Sequence, residues 1–455
     1  MSEAAHIVEH VRRRLKFSGA LACVLLCTLA RADGPRFTGE QLRVDLAYLA
    51  RALHEMPADL AHSADVPRLE RAIRDLDTSL ANSPPLDRDA AWRLLATLNP
   101  LLADGHLFVG FLDWRGETRA HLAAGGLLFP FEMQVTPDCN LRVRAALGGG
   151  DSPVTNAFVR RVDRISARTV CEQLLARAHG DTRNFRADLV SRRFWFYYWK
   201  VFGAPDAYQI ELAGEQDARR IPGSAQVPRL LADESDFNRQ FQLSFPANAP
   251  VAVLKLGTFA WPDKQRLFDF TRASFAQIHG RHVNELIIDL RDNGGGDDES
   301  WVEGVMPYIA GKPFRIGSHY RKRVVVADPA RHEVPGSVVD GEIDDWFPPR
   351  AHEPLRFTGR VYVVVGAGTY SSAVVMSNVI QDFGFGLVAG RGDSVRTQQS
   401  GGARRTTLPN SGLILVTPRF VLTRPSAAAE PALLTPDVYL DESQPAEAIA
   451  GFGAR

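Results

Sequence analysis

The sequence predicts an α/β protein with a parallel-rich sheet, preceded by a helical bundle and a β-rich insert. From residue 250 onward, short apolar runs alternate with helix-like segments, which is typical of parallel strands covered on both faces. Residues 38–103 instead have apolar positions at helical spacing, and residues 107–147 contain short β-type runs. At 455 residues the chain exceeds the length that one hydrophobic core serves, so we expect two or three domains.

The elements of the C-terminal half are the most clearly marked. The expected strands are VAVLKLGTF, ELIIDL, RVYVVVG and GLVAG, and the expected helices are RLFDFTRASFAQI, SWVEGVMPYIA and SSAVVMSNVIQDF. Residues 327–356 are polar and proline-rich, which favours a long surface loop. The expected divisions are residues 1–32 (export signal), 33–125 (helical domain), 126–215 (β-rich insert) and 216–455 (α/β domain).

The N-terminus has the order of regions found in a secretory signal peptide. A basic cluster at residues 12–16 precedes the apolar residues 17–30, and Ala30-Arg31-Ala32 forms an A-x-A cleavage signature. The apolar stretch is shorter than a bilayer-spanning helix requires. We therefore expect cleavage near Ala32 and a periplasmic or secreted protein, the alternative being an uncleaved N-terminal anchor.

The charge and the cysteine content argue against nucleic-acid binding and against a metal site. The formal net charge is zero, so binding to nucleic acid has no electrostatic support. Cys139 and Cys171 remain after removal of the signal, and both a disulfide and two buried thiols are open at this stage. Neither cysteine has the spacing of a metal site, so we expect no metal. We also expect no cofactor.

A glycine-rich turn after a buried strand is the most specific signal. The segment LIIDLRDNGGG, Leu286 to Gly296, runs from a fully apolar strand into charged residues and three glycines. Glycines allow close backbone approach and can turn N–H groups toward a carbonyl oxygen or an anion. A plain tight turn is the alternative for three glycines alone, but the preceding LIIDLRDN favours a functional turn.

A second strand-to-helix junction carries two serines. The strand RVYVVVG ends near Val365, and a helix opens around Ser371 with Ser372 next to it. A serine at a helix N-terminus lies at the positive end of the helix dipole. A simple N-cap is the commoner role for one such serine, but two consecutive serines allow capping and chemistry together.

Together these two motifs resemble the tail-specific (C-terminal processing) serine peptidases, including their tricorn-core relatives, from about Asp104 to Asp437. The resemblance implies a ClpP/crotonase-like catalytic core and a protein or peptide substrate. It also implies that Ser371 is the nucleophile, with oxyanion donors from Gly294 or Gly295 and from Ser372. The segment VRRVDRIS is similar to the family's PDZ-like insert, although it lacks the usual Asn-Gly pair.

At the position of the general base, the sequence differs from one branch of the family. Where Ser–Lys members have a lysine, this chain has Arg396, and none of its six lysines follows Ser371. A guanidinium stays protonated and cannot accept a proton as a base. The segment LLADGHLFVGF resembles the D-G-H segment of the tricorn-like branch, which implies that His106 is the base. An imidazole has a pKa close to working pH, as that role requires.

The same branch implies a carboxylate that orients the histidine. The stretch EPALLTPD places Glu430 at about the right offset, with Asp437 as the neighbouring alternative. Arg391 and Arg396 could bind a substrate carboxylate, although solvated arginines are common.

Two functions follow from these patterns. The leading hypothesis is an exported serine endopeptidase with Ser371, His106 and Glu430 in its active site. The alternative is a non-catalytic protein of the same fold that binds peptides or a hydrophobic ligand, and the eroded motifs around Arg396 and Glu430 favour it.

Overall fold

The structure is a computed structural model that describes residues 34–247, 250–441 and 444–450. The expected signal segment 1–32 lies outside these residues. The helices are α1 Gly39–Glu55, α2 Val66–Ala81, α3 Arg88–Leu95, α4 Asn99–Leu102, α5 Trp114–Ala123, α6 Ala167–Leu175, α7 Arg183–Arg192, α8 Phe194–Phe202, α9 Arg229–Asp233, α10 Phe237–Gln240, α11 Lys264–Gly280, α12 Glu299–Val302, α13 Met306–Ile309 and α14 Ser372–Phe383. The strands are β1 Phe108–Gly110, β2 Phe131–Val135, β3 Leu141–Ala146, β4 Phe158–Val162, β5 Ile165–Ser166, β6 Ala207–Leu212, β7 Arg219–Pro222, β8 Phe241–Ser244, β9 Val251–Leu256, β10 Glu285–Asp289, β11 His319–Arg323, β12 Val338–Glu342, β13 Arg360–Val365, β14 Leu387–Gly390, β15 Gln399–Gly401, β16 Arg404–Thr407, β17 Ile414–Thr417, β18 Phe420–Leu422 and β19 Val438–Tyr439.

A six-stranded sheet forms the centre of the C-terminal half. Its strand order is β19-β14-β13-β10-β9-β8, and every neighbouring pair is parallel except β8 with β9. The expected α/β class with a parallel-rich sheet is confirmed. Strand β10 shows why these strands are apolar throughout, because the sheet is buried on both faces. Leu286 and Ile288 pack into one buried core, and Ile287 packs into another on the opposite face.

The N-terminal half combines helices with an antiparallel sheet. Helices α1 to α4 cover the region in which the apolar spacing predicted a bundle. The expected β-rich insert is also present, as a sheet of order β2-β3-β4-β6-β7 with β5 paired to β4. A disulfide joins Cys139 to Cys171, which resolves the choice left open by the sequence. The aromatic run of α8 is mostly buried and belongs to the core shared by the bundle and the insert.

Two smaller antiparallel sheets position the site. One has the order β12-β11-β18-β15, and the other has the order β1-β17-β16. Strand β1 begins two residues after His106, and β15 contributes Gln399 and Ser400. The described residues from Arg36 onward form one compact unit, while the expected boundaries near residues 125 and 215 stay predictions.

Two local predictions differ from the structure. The expected helix SWVEGVMPYIA is two short helices, α12 and α13, because Gly304 and Pro307 interrupt it. Any side chain at position 304 would meet the carbonyl oxygen of Ser300. The expected loop 327–356 contains β12, which pairs with β11 in an antiparallel ladder. Among the described residues, no helix combines the length and apolar character that a bilayer crossing requires.

Candidate active site

Ser371 lies at a sharp turn between β13 and α14. Its backbone has φ 53° and ψ −127°, a conformation that is rare and strained for a residue with a side chain. Its backbone N–H donates to Oε1 of Gln399 at 3.0 Å, so β15 holds the turn from the other side. The Ser371 hydroxyl makes no hydrogen bond within the described part of the chain, which leaves it available to a ligand.

The glycine turn packs directly against this serine. A Cβ at Gly295 would lie 2.7 Å from Cβ of Ser371 and 3.0 Å from the backbone nitrogen of Ser372. Gly295 also has φ 95°, a region that favours glycine. The two motifs that are separate in the sequence therefore meet, and only a residue without a side chain fits between them.

The backbone N–H groups at this junction have different partners. The N–H of Gly295 donates to Oδ1 of Asn293 at 2.8 Å. The N–H groups of Gly294 and Ser372 have no acceptor among the described residues. Of the two glycine alternatives, Gly294 is therefore the one whose N–H is free for a bound oxygen atom.

His106 lies beside the same junction. Its ring is tilted against the ring of Tyr370, the residue before Ser371, with centroids 4.9 Å apart. Its Nδ1 lies 3.1 Å from Oγ of Ser400 on β15. Burial lowers the pKa of His106, and the nearby Asp104 carboxylate partly opposes this shift. His106 and Ser371 thus contact neighbouring residues of one short strand.

Behind His106 lies a buried polar cluster that the sequence did not reveal. The Ser400 hydroxyl donates to Oδ1 of Asp104 at 2.9 Å, and the backbone N–H of His106 donates to the same oxygen at 2.6 Å. Tyr370 donates from its hydroxyl to Asp181 at 2.9 Å. Burial, reinforced by the charge of Asp104, raises the pKa of Asp181 to about 6. Nothing in the segment QQSGG marks Ser400 as a site residue.

The other predicted site residues lie elsewhere. Glu430 is exposed, and its carboxylate accepts from the backbone N–H of Ala432 at 2.9 Å instead of contacting His106. Arg396 donates from its guanidinium to the carbonyl of Ala103 at 2.6 Å, so it is engaged within the protein. Arg391 is exposed. The structure therefore brings together Ser371, His106 and the glycine turn, but not Glu430.

A cavity of about 430 Å³ opens next to β15. Gln398, which directly precedes the two β15 residues that contact Ser371 and His106, lines it. Its lining includes three acidic residues, Asp59, Asp340 and Glu342. One of them, Asp340, forms a salt bridge of 2.8 Å with Arg321, which also lines the cavity. No group of three or more metal-binding side chains is found among the described residues.

Comparisons with known proteins fit this arrangement. Residues 250–440 match the model of peptidase family S41. The structure of mature CPAF complexed with lactacystin is 13% identical, over 88% of this chain and 94% of that chain, with a TM-score of 0.59. A CPAF mutant is 12% identical, over 88% and 93%, with a TM-score of 0.61. No curated protein sequence matches the chain.

Because the identities to CPAF are only 12–13%, this likeness shows a shared fold and no more. The family match covers β9 to β19, including the glycine turn and Ser371. Both agree with the family expected from the two motifs. Residues 250–440 are therefore similar to peptidase family S41, which supports a serine-type peptidase.

Proposed function

We propose that this protein is an exported serine endopeptidase in which Ser371 is the nucleophile and His106 is the general base. The observation that carries the proposal is the convergence of both residues on β15, through Gln399 and Ser400. The family match favours this function over the non-catalytic alternative.

The backbone of Ser371 supports its role as nucleophile. A strained residue between a buried strand and a helix projects its side chain out of the turn, and such strain is often found at functional sites. The hydroxyl has no protein partner among the described residues, so no competing hydrogen bond must break before it attacks a carbonyl carbon.

The hydrogen bonds around His106 support its role as base. A carboxylate can only accept, so the Ser400 hydroxyl gives its proton to Asp104 and its lone pair faces Nδ1 of His106. Nδ1 then carries the ring proton, and Nε2 is left as the acceptor. In this arrangement Nε2 takes the proton of Ser371 and later delivers it to the leaving amine.

The free N–H groups of Gly294 and Ser372 support an oxyanion hole. Backbone donors at a helix N-terminus stabilise the negative oxygen of a tetrahedral intermediate, and one such donor contributes about 3–4 kcal/mol. The acyl group is then carried on Oγ of Ser371 until a water molecule, deprotonated by His106, releases the acid.

A fluorophosphonate probe tests the nucleophile. Purified mature protein should be labelled on Ser371 and should hydrolyse casein or a peptide library, whereas Ser371→Ala should lose both activities, by about 1000-fold or more. Ser79→Ala is the matched control, because Ser79 lies on α2 and donates to a local carbonyl. Undiminished hydrolysis by Ser371→Ala would overturn the proposal.

Export is a separate part of the proposal. The basic, apolar and A-x-A regions of residues 1–32 support it. N-terminal sequencing of the protein recovered from the periplasm or medium should begin at Asp33. Recovery of the intact N-terminus from a membrane fraction would favour the uncleaved anchor instead.

A further inference from the structure

A second cavity lies apart from the proposed active site. It measures about 100 Å³ and is bordered by residues of β1, α5, α8 and the segment after α6. Ser371, His106 and Ser400 do not line it. Its lining includes four arginines, which are Arg115, Arg177, Arg193 and Arg405. It also includes His179, whose pKa is lowered well below its ordinary value by burial and by the charge of Arg193.

The positive charge around this cavity is not balanced. Arg115 pairs with Glu234 through two hydrogen bonds of 2.6 and 2.7 Å. In the described part of the chain, Arg177, Arg193 and Arg405 form no salt bridge. The acidic lining residue, Asp113, accepts from the N–H of Gly116 and caps α5, and it forms no salt bridge with the arginines in the described part of the chain.

Two lining residues carry buried atoms without a partner. Nε of Arg193 and Nδ1 of His179 are both buried and have no hydrogen-bond partner. Burial lowers the pKa of Arg193 to about 10, so the guanidinium remains charged at neutral pH. A buried guanidinium without a counter-charge is costly, and an anion in the cavity would supply that charge.

Aromatic rings hold these two side chains in place. The guanidinium carbon of Arg193 lies 4.4 Å from the ring centroid of Trp114, and the ring of His179 stacks on Phe108 at 3.8 Å. These contacts fix the orientation of both side chains before a ligand arrives, which reduces the entropy lost on binding. The same rings give an apolar surface next to the charged groups.

We infer that this cavity binds an organic carboxylate, with its charged oxygens on the guanidinium of Arg193 and its apolar part against the aromatic rings. The planar guanidinium matches the geometry of a carboxylate. The small volume admits a carboxylate with a short body and excludes a nucleotide. A free small acid and the terminal carboxylate of a peptide have this chemistry in common.

Calorimetric titration of the Ser371→Ala protein tests the inference, since this background does not cleave a peptide. Benzoate should bind saturably in chloride buffer, and benzamide, its neutral counterpart, at least about tenfold more weakly. Arg193→Met should weaken benzoate binding by a similar factor. Arg405→Met should also weaken it, and the exposed position of Arg405 avoids disturbing the fold.

The control is Arg168→Met, which removes the same charge from an exposed site on α6 outside the cavity and should leave binding unchanged. A short peptide with a free C-terminus and its amidated form distinguish the two sources of the carboxylate. The inference fails if neither benzoate nor the free peptide binds, or if benzamide binds equally well. It also fails if Arg193→Met, folded by circular dichroism, retains full affinity.

Discussion

Ser400 places its hydroxyl oxygen 3.1 Å from Nδ1 of His106 and at the same time 2.9 Å from the carboxylate of Asp104. Because the serine hydroxyl is a donor to Asp104, this contact favours the tautomer in which Nδ1 of His106 carries the ring proton. The buried Asp104 carboxylate therefore acts on the imidazole through a hydroxyl group and not by direct contact with the ring. Such an arrangement makes the orientation of His106 depend on a side chain that is 294 residues away in the sequence.

Replacing Ser400 tests this arrangement. Ser400→Ala should reduce kcat by about 10- to 100-fold with little change in KM, because the ring loses its orienting partner while the nucleophile and the substrate contacts remain. Ser400→Thr keeps the hydroxyl and should restore much of the rate. The ¹⁵N chemical shifts of His106 report the tautomer, and a merely structural role of Ser400 would not change them.

Glu430→Ala is the matched comparison, because the family resemblance implies the orienting role for that residue. The exposed carboxylate contacts its own turn, so we expect a change of less than about threefold in kcat/KM. A loss as large as that of Ser400→Ala would instead show that Glu430 reaches the imidazole during catalysis.

The pH dependence of kcat/KM follows from the environment of His106. Burial disfavours the imidazolium, so the pKa lies below its ordinary value near 6.5 and the neutral base persists to lower pH. The acid limb of the profile should therefore have its midpoint below 6.5. Asp104→Asn removes the charge that opposes the shift and should move the limb to still lower pH. A midpoint above 6.5 would contradict this description of the base.

Gly295→Ala should damage the site through backbone geometry. The added methyl group would lie 2.7 Å from Cβ of Ser371 at a φ of 95°, so both the glycine turn and the nucleophile must shift. We expect activity to fall on the order of 100-fold and stability by about 1–3 kcal/mol. Gly280→Ala, at the end of α11 in open space, is the control for both measurements.

The disulfide should stabilise the insert. Cys139 and Cys171 close a loop with a sequence separation of 32, for which the chain-entropy model gives about 3–4 kcal/mol. The double variant Cys139→Ser, Cys171→Ser should unfold at a correspondingly lower urea concentration. Addition of a reductant should move the wild-type curve toward that of the variant and should not affect the variant itself.

Much of the fold could be predicted because its signals are local. The strands β9, β10, β13 and β14 are continuous apolar runs, and burial on both faces of a parallel sheet requires this composition. Position 304 shows the limit of such signals. Periodicity favours a single helix across residues 300–310, whereas the close approach of Gly304 to the Ser300 carbonyl is visible only in three dimensions.

The candidate site also contains residues that local motifs predict and residues that only the three-dimensional fold reveals. Ser371 and the glycine turn stand in motifs with characteristic neighbours, so the sequence points to them directly. Ser400 lies on an edge strand between ordinary polar residues, and its proximity to His106 depends on how β15 pairs with β18. Glu430 was assigned by its offset along the chain, and the local hydrogen bond to Ala432 shows that this offset does not fix where the carboxylate points.

The wide sequence separation of these groups has a consequence for the cell that makes the protein. Residues 104–106 and 370–371 come into contact across 265 positions, and β15 must pair before either is held. An incompletely folded chain therefore contains each chemical group but not the contacts that bring them together. Under the proposed mechanism, the chain gains activity only once β15 is in place.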